Sequence, residues 1–218
     1  MHYIRTVSLL LPALLFQLGC QGTPQDELAE SSSTNRAGTV PERATKGTAA
    51  RLKGFQGVRL SDQPNETMSF SFEHGKAVVN STLLEIVGDE HGGDGRAMHQ
   101  MIASDEELRQ RTKDAYDIAF DATHGLIANA SDSGWEFGFG EGGIQIAGDI
   151  PLNEVRSAPV GDYESHLRID ALQAGRSYLV RTSNGMYAKF CITEFDSEKG
   201  ELTFDWYLQA DGSTEFSE

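Results

Sequence analysis

The chain has 218 residues, with 18 Lys and Arg against 33 Asp and Glu and a formal net charge of −15. Charges before Arg51 balance, so the acidic excess falls on the rest, which disfavours nucleic acid and anionic lipid as direct ligands. The two cysteines, Cys20 near the start and Cys191 inside a predicted strand, leave no internal disulfide to expect.

The first residues read as a targeting segment. Arg5 supplies a positive start, and Val7–Leu18 is an apolar stretch interrupted by Pro12. It is shorter than the about 20 apolar residues a membrane helix needs. Leu18-Gly19-Cys20 follows the bacterial lipobox pattern, with Gln17 where Leu is usual. A lipoprotein-type signal peptide over residues 1–20, ending at a lipidated Cys20, is expected. Residues 21–53 lack a hydrophobic period and read as a disordered, flexible tether. Some 30 such residues reach roughly 30 Å, enough to stand a domain off a membrane.

Residues 54–218 suit one domain, and their pattern is mostly β. Gly57–Leu60, Thr67–Glu73 and Lys76–Asn80 read as short strands, with His74-Gly75 as a turn. Thr82–Val87 is apolar enough for a strand, a helical turn being the alternative. Gly88–Gly95 carries Asp89, Glu90, His91 and Asp94 among four glycines. It lacks the spacing of a calcium loop, so a solvated acidic turn is the better reading.

Ser104-Asp105-Glu106-Glu107 matches a capping box, S-x-x-E, and predicts a short helix continuing over Leu108–Ala115. Asp117–Phe120 and Leu126–Asn129 form a strand pair around Thr123-His124-Gly125. Trp135–Gly148 is dense in glycine and phenylalanine and reads as a mobile loop. It lacks the strand-to-helix junction and downstream Lys-Ser/Thr of a phosphate loop.

The end of the chain reads as a three-stranded meander. Ser177–Thr182 and Met186–Thr193 flank Ser183-Asn184-Gly185, whose Asn-Gly suits a type I′ turn. A second turn at Asp196–Gly200 leads into a strand that alternates cleanly. Leu202, Phe204, Trp206 and Leu208 share one face; Thr203, Asp205, Tyr207 and Gln209 share the other. No nucleophile elbow, H-E-x-x-H, C-x-x-C or Walker loop occurs, so no enzyme activity is expected.

Several of these segments, in order, resemble the HmuY-like haem-binding lipoprotein family. Tyr178-Leu179-Val180-Arg181-Thr182, the turn ending in Gly185, and Tyr187-Ala188-Lys189-Phe190 resemble its Y-V-V-R-T-x-D-G-x-Y-x-K hairpin. Tyr116-Asp117-Ile118-Ala119-Phe120 is similar to its W-D-I-A-F strand, with Tyr116 where Trp is usual. Ser69-Phe70-Ser71-Phe72-Glu73-His74-Gly75 resembles its Y-F-S-F-x-x-G. Gly200-Glu201-Leu202-Thr203-Phe204 and Gln209-Ala210-Asp211-Gly212-Ser213 resemble its closing strand and tail.

The resemblance implies a single antiparallel β-sheet or meander domain of HmuY-like type with one short helix. It further implies a bacterial outer-membrane lipoprotein, periplasmic or surface-facing, that takes haem from solution or from haemoproteins and passes it to an outer-membrane receptor. Iron in a porphyrin is held by His imidazole or Met thioether. Residues after Cys20 offer His74, His91, His99, His124 and His166, with Met68, Met98, Met101 and Met186. His166, in Tyr163-Glu164-Ser165-His166-Leu167, resembles an iron-ligating His of the type member. His124, the only His between Asp121 and Ser165, and the Met98-His99-Gln100-Met101 run are the candidates for a second donor. That intervening stretch is short for the family. The alternative expectation is therefore a non-catalytic envelope lipoprotein of the same fold that binds a protein partner and no haem.

Overall fold

Two faces of aromatic side chains meet at the centre of this protein, and they come from two different sheets. The computed structural model describes residues 46–56, 60–87, 95–135 and 137–216, all within one compact unit, Val40–Glu218. The expected signal peptide with Cys20, the tether up to residue 45, the acidic loop with His91, and residues 57–59 of the first expected strand lie outside the described residues.

The strands are β1 (Lys46–Lys53), β2 (Ser69–Ser71), β3 (Lys76–Val78), β4 (Ile118–Asp121), β5 (Gly125–Ala128), β6 (Gly143–Gly148), β7 (His166–Arg168), β8 (Ser177–Arg181), β9 (Tyr187–Asp196) and β10 (Glu201–Gln209). The helices are α1 (Asn80–Val87), α2 (Gly95–Ser104) and α3 (Glu106–Ala115). The described strands form two antiparallel five-stranded sheets, β1-β10-β9-β8-β6 and β3-β2-β4-β5-β7. The protein is thus mostly β, as expected. The expected single sheet is corrected to two, and the one short helix to three helices among the described residues.

The C-terminal meander forms the centre of the first sheet. Its alternation holds as far as Leu208: Leu202, Phe204, Trp206 and Leu208 are buried and Thr203, Asp205 and Tyr207 half-buried, whereas Gln209, expected on the outward face, is buried. Phe70 of the second sheet meets Phe204 at 5.1 Å and Trp206 at 5.5 Å, edge to face. Phe72 meets Phe190 at 6.1 Å. Rings of this size fully removed from water stabilise the fold by about 2–3 kcal/mol each. A sandwich with one core between two sheets therefore accounts for the main hydrophobic cluster.

The three inner strands of the second sheet, β2, β4 and β5, are buried on both faces. Ile118 and Phe120 point into the sandwich, while Ala119 packs with Met68, Leu83, Met98, Ile102 and Tyr116 in a helical layer outside it. That is why β4 and β5 read as short continuous apolar runs.

Five local expectations are corrected. Thr82–Val87 is helical: a strand would put Leu83 and Glu85 on one face, whereas α1 buries Leu83, Leu84 and Ile86 and exposes Glu85. The cap of α3 is Asp105, not Ser104, because Ser104 still belongs to α2. Asp105 takes an extended conformation and accepts the Glu107 and Leu108 amides at 2.9 and 3.2 Å.

The tether does not run to residue 53. Lys46–Lys53 pairs with β10 as an edge strand that needs only one fully buried side chain, Leu52, and so looks like polar linker. Finally, Gly143–Gly148, expected within the mobile loop, is β6, paired with β8.

The Ser183–Gly185 turn also differs in type. Only Gly185 takes a positive φ, 82°. Its amide donates to the Thr182 carbonyl at 3.0 Å, and Thr182 donates to Met186 at 2.8 Å. This is the three-residue hairpin loop with a left-handed glycine, rather than the two-residue type I′ turn.

Candidate functional site

His166 and His124, 42 residues apart, are brought together by the pairing of β7 with β5. The register sets Gly125 opposite Arg168, Leu126 opposite Leu167 and Ile127 opposite His166. Leu167 points into the core, so strand alternation sends His166 and Arg168 to the other face. At the near end of β5, the turn from β4 presents His124.

That turn is built by Asp121. Its Oδ1 accepts the backbone N–H groups of Thr123 and His124, both at 2.8 Å, a local carboxylate-capped turn. Gly125 closes it at φ 123°, and a Cβ there would lie 2.1 Å from the Leu167 carbonyl. The His124 carbonyl then receives two donors: the Ile169 amide at 2.8 Å and His166 Nε2 at 3.2 Å. The His124 ring folds back on its own turn, with Nδ1 3.1 Å from Asp121 Oδ1. The His124 side chain is 68% exposed and the Asp121 side chain 11%. The half-buried His166 imidazole thus rests on the His124 backbone carbonyl, while the exposed His124 imidazole turns to Asp121, at the open end of the second sheet.

The methionine candidates fall elsewhere. Met98 is buried in the helical layer, and Met101 packs against the same cluster, which contains neither histidine. Between them, His99 stacks on Phe139 with ring centroids 4.8 Å apart. The Met-His-x-Met run is therefore packing between α2, the second sheet and the glycine-rich loop.

Two concavities lie elsewhere and differ in chemistry. A cleft of about 570 Å³ is lined by Glu73, His74, Asp114 and Asn184, where the Asn184 amide donates to Glu73 at 3.0 Å and Asp114 at 3.3 Å. A larger one of about 680 Å³ lies over β1, β9 and β10 beside Lys189 and Tyr207. Lys189 is buried there, donating to the Val155 carbonyl at 2.9 Å beneath the Tyr207 and Phe216 rings. It holds the crossing segments to the outer face of the first sheet.

Among the described residues no three His, Cys, Asp or Glu side chains cluster as a metal centre. Sequence reasoning missed Asp121 as an element of the histidine site. The signal was present in Asp121-Ala122-Thr123-His124-Gly125, a carboxylate two residues before a turn. Comparison with protein-family models finds no match, and comparison with curated proteins finds none either.

Proposed function

We propose that this chain is a non-catalytic, lipid-anchored protein of the bacterial envelope that captures haem, with His166 and His124 as the iron-binding residues. The observation supporting this reading is their proximity: the His166 ring, from a separate segment, reaches the backbone carbonyl of His124. The donor chemistry fits the group. A bare metal ion needs three or four protein ligands, but a porphyrin fills four positions itself and asks the protein for one or two imidazoles. The ordered motifs shared with the HmuY-like family support the same reading. The lipobox at Cys20 supports attachment to the outer membrane, from which haem would pass to a receptor.

A haemin titration followed by absorbance tests this. The expected result is a saturable Soret band with low-spin α and β bands, lost in His166→Ala and weakened in His124→Ala. A non-saturating, featureless spectrum overturns it.

One observation favours a second reading. Both rings already have protein partners, His124 on Asp121 and His166 on the His124 carbonyl. On that reading the chain keeps the fold without the cofactor and binds an envelope protein. Crosslinking on intact cells would then recover one specific partner, and haemin would leave the spectrum unchanged.

A further inference from the structure

A third concavity, of about 230 Å³, opens where the glycine-rich loop crosses the end of β5. Residues 130–132 and 140–142 form two of its sides, and Tyr163 and Ser165 stand on the third. The frame is tied together through the backbone. The Ser131 amide donates to the Gly140 carbonyl at 3.1 Å and the Gly142 amide to the Asn129 carbonyl at 3.0 Å. Ile144 and Glu164 exchange two further bonds at 2.7 and 2.9 Å. Only glycine allows this approach: a Cβ at Gly140 or Gly142 would lie 2.5 or 2.7 Å from the Asn129 carbonyl oxygen. The walls are set before any ligand arrives, which lowers the ordering cost of binding.

The side chains on this frame are mixed in kind and do not pair with one another. Arg181, at the end of β8, gives Nε to the Glu141 carbonyl at 2.7 Å, and its guanidinium lies 5.9 Å from the Tyr163 ring centre. Among the described residues its two terminal nitrogens have no hydrogen-bond partner. The same holds for the Asp132 and Glu141 carboxylates and for the Ser131 and Ser165 hydroxyls. Donors and acceptors therefore stand apart around one cleft, and the charges decide what can bridge them. Two carboxylates beside one guanidinium, on a chain of net charge −15, oppose an anion. The fixed guanidinium opposes a cation at the same point. A neutral hydroxyl both donates and accepts, so it meets every group present.

We infer that this cleft binds one neutral sugar ring, a hexose whose adjacent hydroxyls accept from Arg181 and donate to Asp132 and Glu141, beside Tyr163. The volume takes a single ring. Ser131, Asp132 and Glu141 are exposed, so that ring is either a free hexose or the end of a longer glycan. The site uses neither His124 nor His166 and stands whether or not haem is bound.

The test titrates the full chain with the methyl glycosides of glucose, galactose and mannose, read by saturation-transfer spectra and amide shifts. At least one is expected to bind saturably with a Kd of about 1–10 mM, as about 13 heavy atoms in a polar cleft give. The shifts should centre on residues 130–132 and 140–142. The uronate and the amino form of the bound sugar should bind at least about fivefold more weakly. Asp132→Ala and Glu141→Gln remove exposed carboxylates without described partners, so each should weaken binding about tenfold with an unchanged melting curve. Arg181→Lys keeps the charge but loses the planar fork and should weaken it similarly. An oligosaccharide ending in the same sugar distinguishes the sources: a tenfold gain assigns a glycan chain, equal affinity a free hexose. Failure of all three glycosides to bind overturns the inference. So does full affinity in both Asp132→Ala and Glu141→Gln, tighter binding of the uronate, or shifts centred away from this cleft.

Discussion

Asp117, just before β4 of the second sheet, and Ser183 of the β8–β9 turn in the first sheet are joined by two hydrogen bonds to one oxygen. The Ser183 amide and hydroxyl both reach Asp117 Oδ1 at 3.0 Å, while Oδ2 takes the Phe72 amide at 2.7 Å. The carboxylate is buried, so these donors replace the water it has lost. The consequence is a polar clasp at one end of an otherwise apolar sandwich. Asp117→Ala would leave the Ser183 and Phe72 amides without an acceptor, while the Ser183 hydroxyl keeps the Lys113 carbonyl at 2.7 Å. The expected loss is on the order of 3 kcal/mol in urea unfolding, with the slope of the transition unchanged. A loss below about 0.5 kcal/mol would mean the clasp is replaced by water at no cost.

The same carboxyl gives a signed pH dependence. Burial pushes Asp117 up to about 6 from 3.8, against the pull of the Ser183 and Phe72 donors and with help from the nearby Glu73 charge. Because the folded state holds this proton more tightly, its contribution is fully present below pH 3.8 and is lost as the pH rises through about 6. The difference amounts to about 3 kcal/mol. Exposed carboxylates held low by partners, such as Asp149 beside Arg176 and Glu201 beside Arg51, act in the opposite sense as the pH falls. The check is therefore a difference: Asp117→Asn should lose stability relative to the parent at pH 4 more than at pH 7. Parallel stability curves across that range would contradict it.

Asn129 organises the glycine-rich loop. Its amide nitrogen donates to the Thr112 and Tyr116 carbonyls at 3.0 and 2.9 Å, and its oxygen accepts the Phe139 and Gly140 amides at 3.0 and 3.1 Å. Asn129→Asp keeps both acceptor bonds but turns a carboxylate towards two carbonyls. The expected cost is about 2–4 kcal/mol, with faster amide exchange confined first to residues near 137–142. Uniform loss of protection across both sheets would place Asn129 in the global core instead.

The residues of these clasps show what could be read in advance. The β10 alternation and the His74-Gly75 and Asp196–Gly200 turns follow from local pattern, because burial on one face and positive-φ glycine leave marks within a few residues. Asp117 and Asn129 leave no such mark: their partners lie up to 66 residues away and depend on how the sheets stack. Edge strand β1 was missed because one buried leucine is not a period. The two histidines were individually visible as donors, but their meeting depends on the register of β5 with β7, which a three-residue strand cannot advertise.

Gly125 links that register to the site. At φ 123°, with the Leu167 carbonyl and the Ile169 amide within 2.6 Å of any Cβ, alanine cannot be placed without parting β5 from β7. Gly125→Ala is expected to cost at least about 2 kcal/mol and, in protein that still folds, to weaken haemin binding together with the His124–His166 contact. Gly148, also at positive φ (132°) but with open space around its Cβ position, is the control. Gly148→Ala pays only the backbone strain and should leave haemin affinity unchanged.

The methionines complete the argument by contrast. Met98 lies in the packed interface of α2, and Met101 flanks it, so leucine fills either place with a similar volume. Met98→Leu and Met101→Leu should each change stability by less than about 1.5 kcal/mol and leave the haemin spectrum and affinity as in the parent. The histidine variants should do the reverse, changing the spectrum while barely moving the melting curve, since the His124 side chain is exposed and that of His166 only half-buried. A loss of low-spin bands in Met98→Leu would require α2 to open and deliver its thioether. Packing of Met98 at 5% exposure beside Ile102 and Tyr116 opposes that movement, and amide exchange in α2 on haemin addition would reveal it.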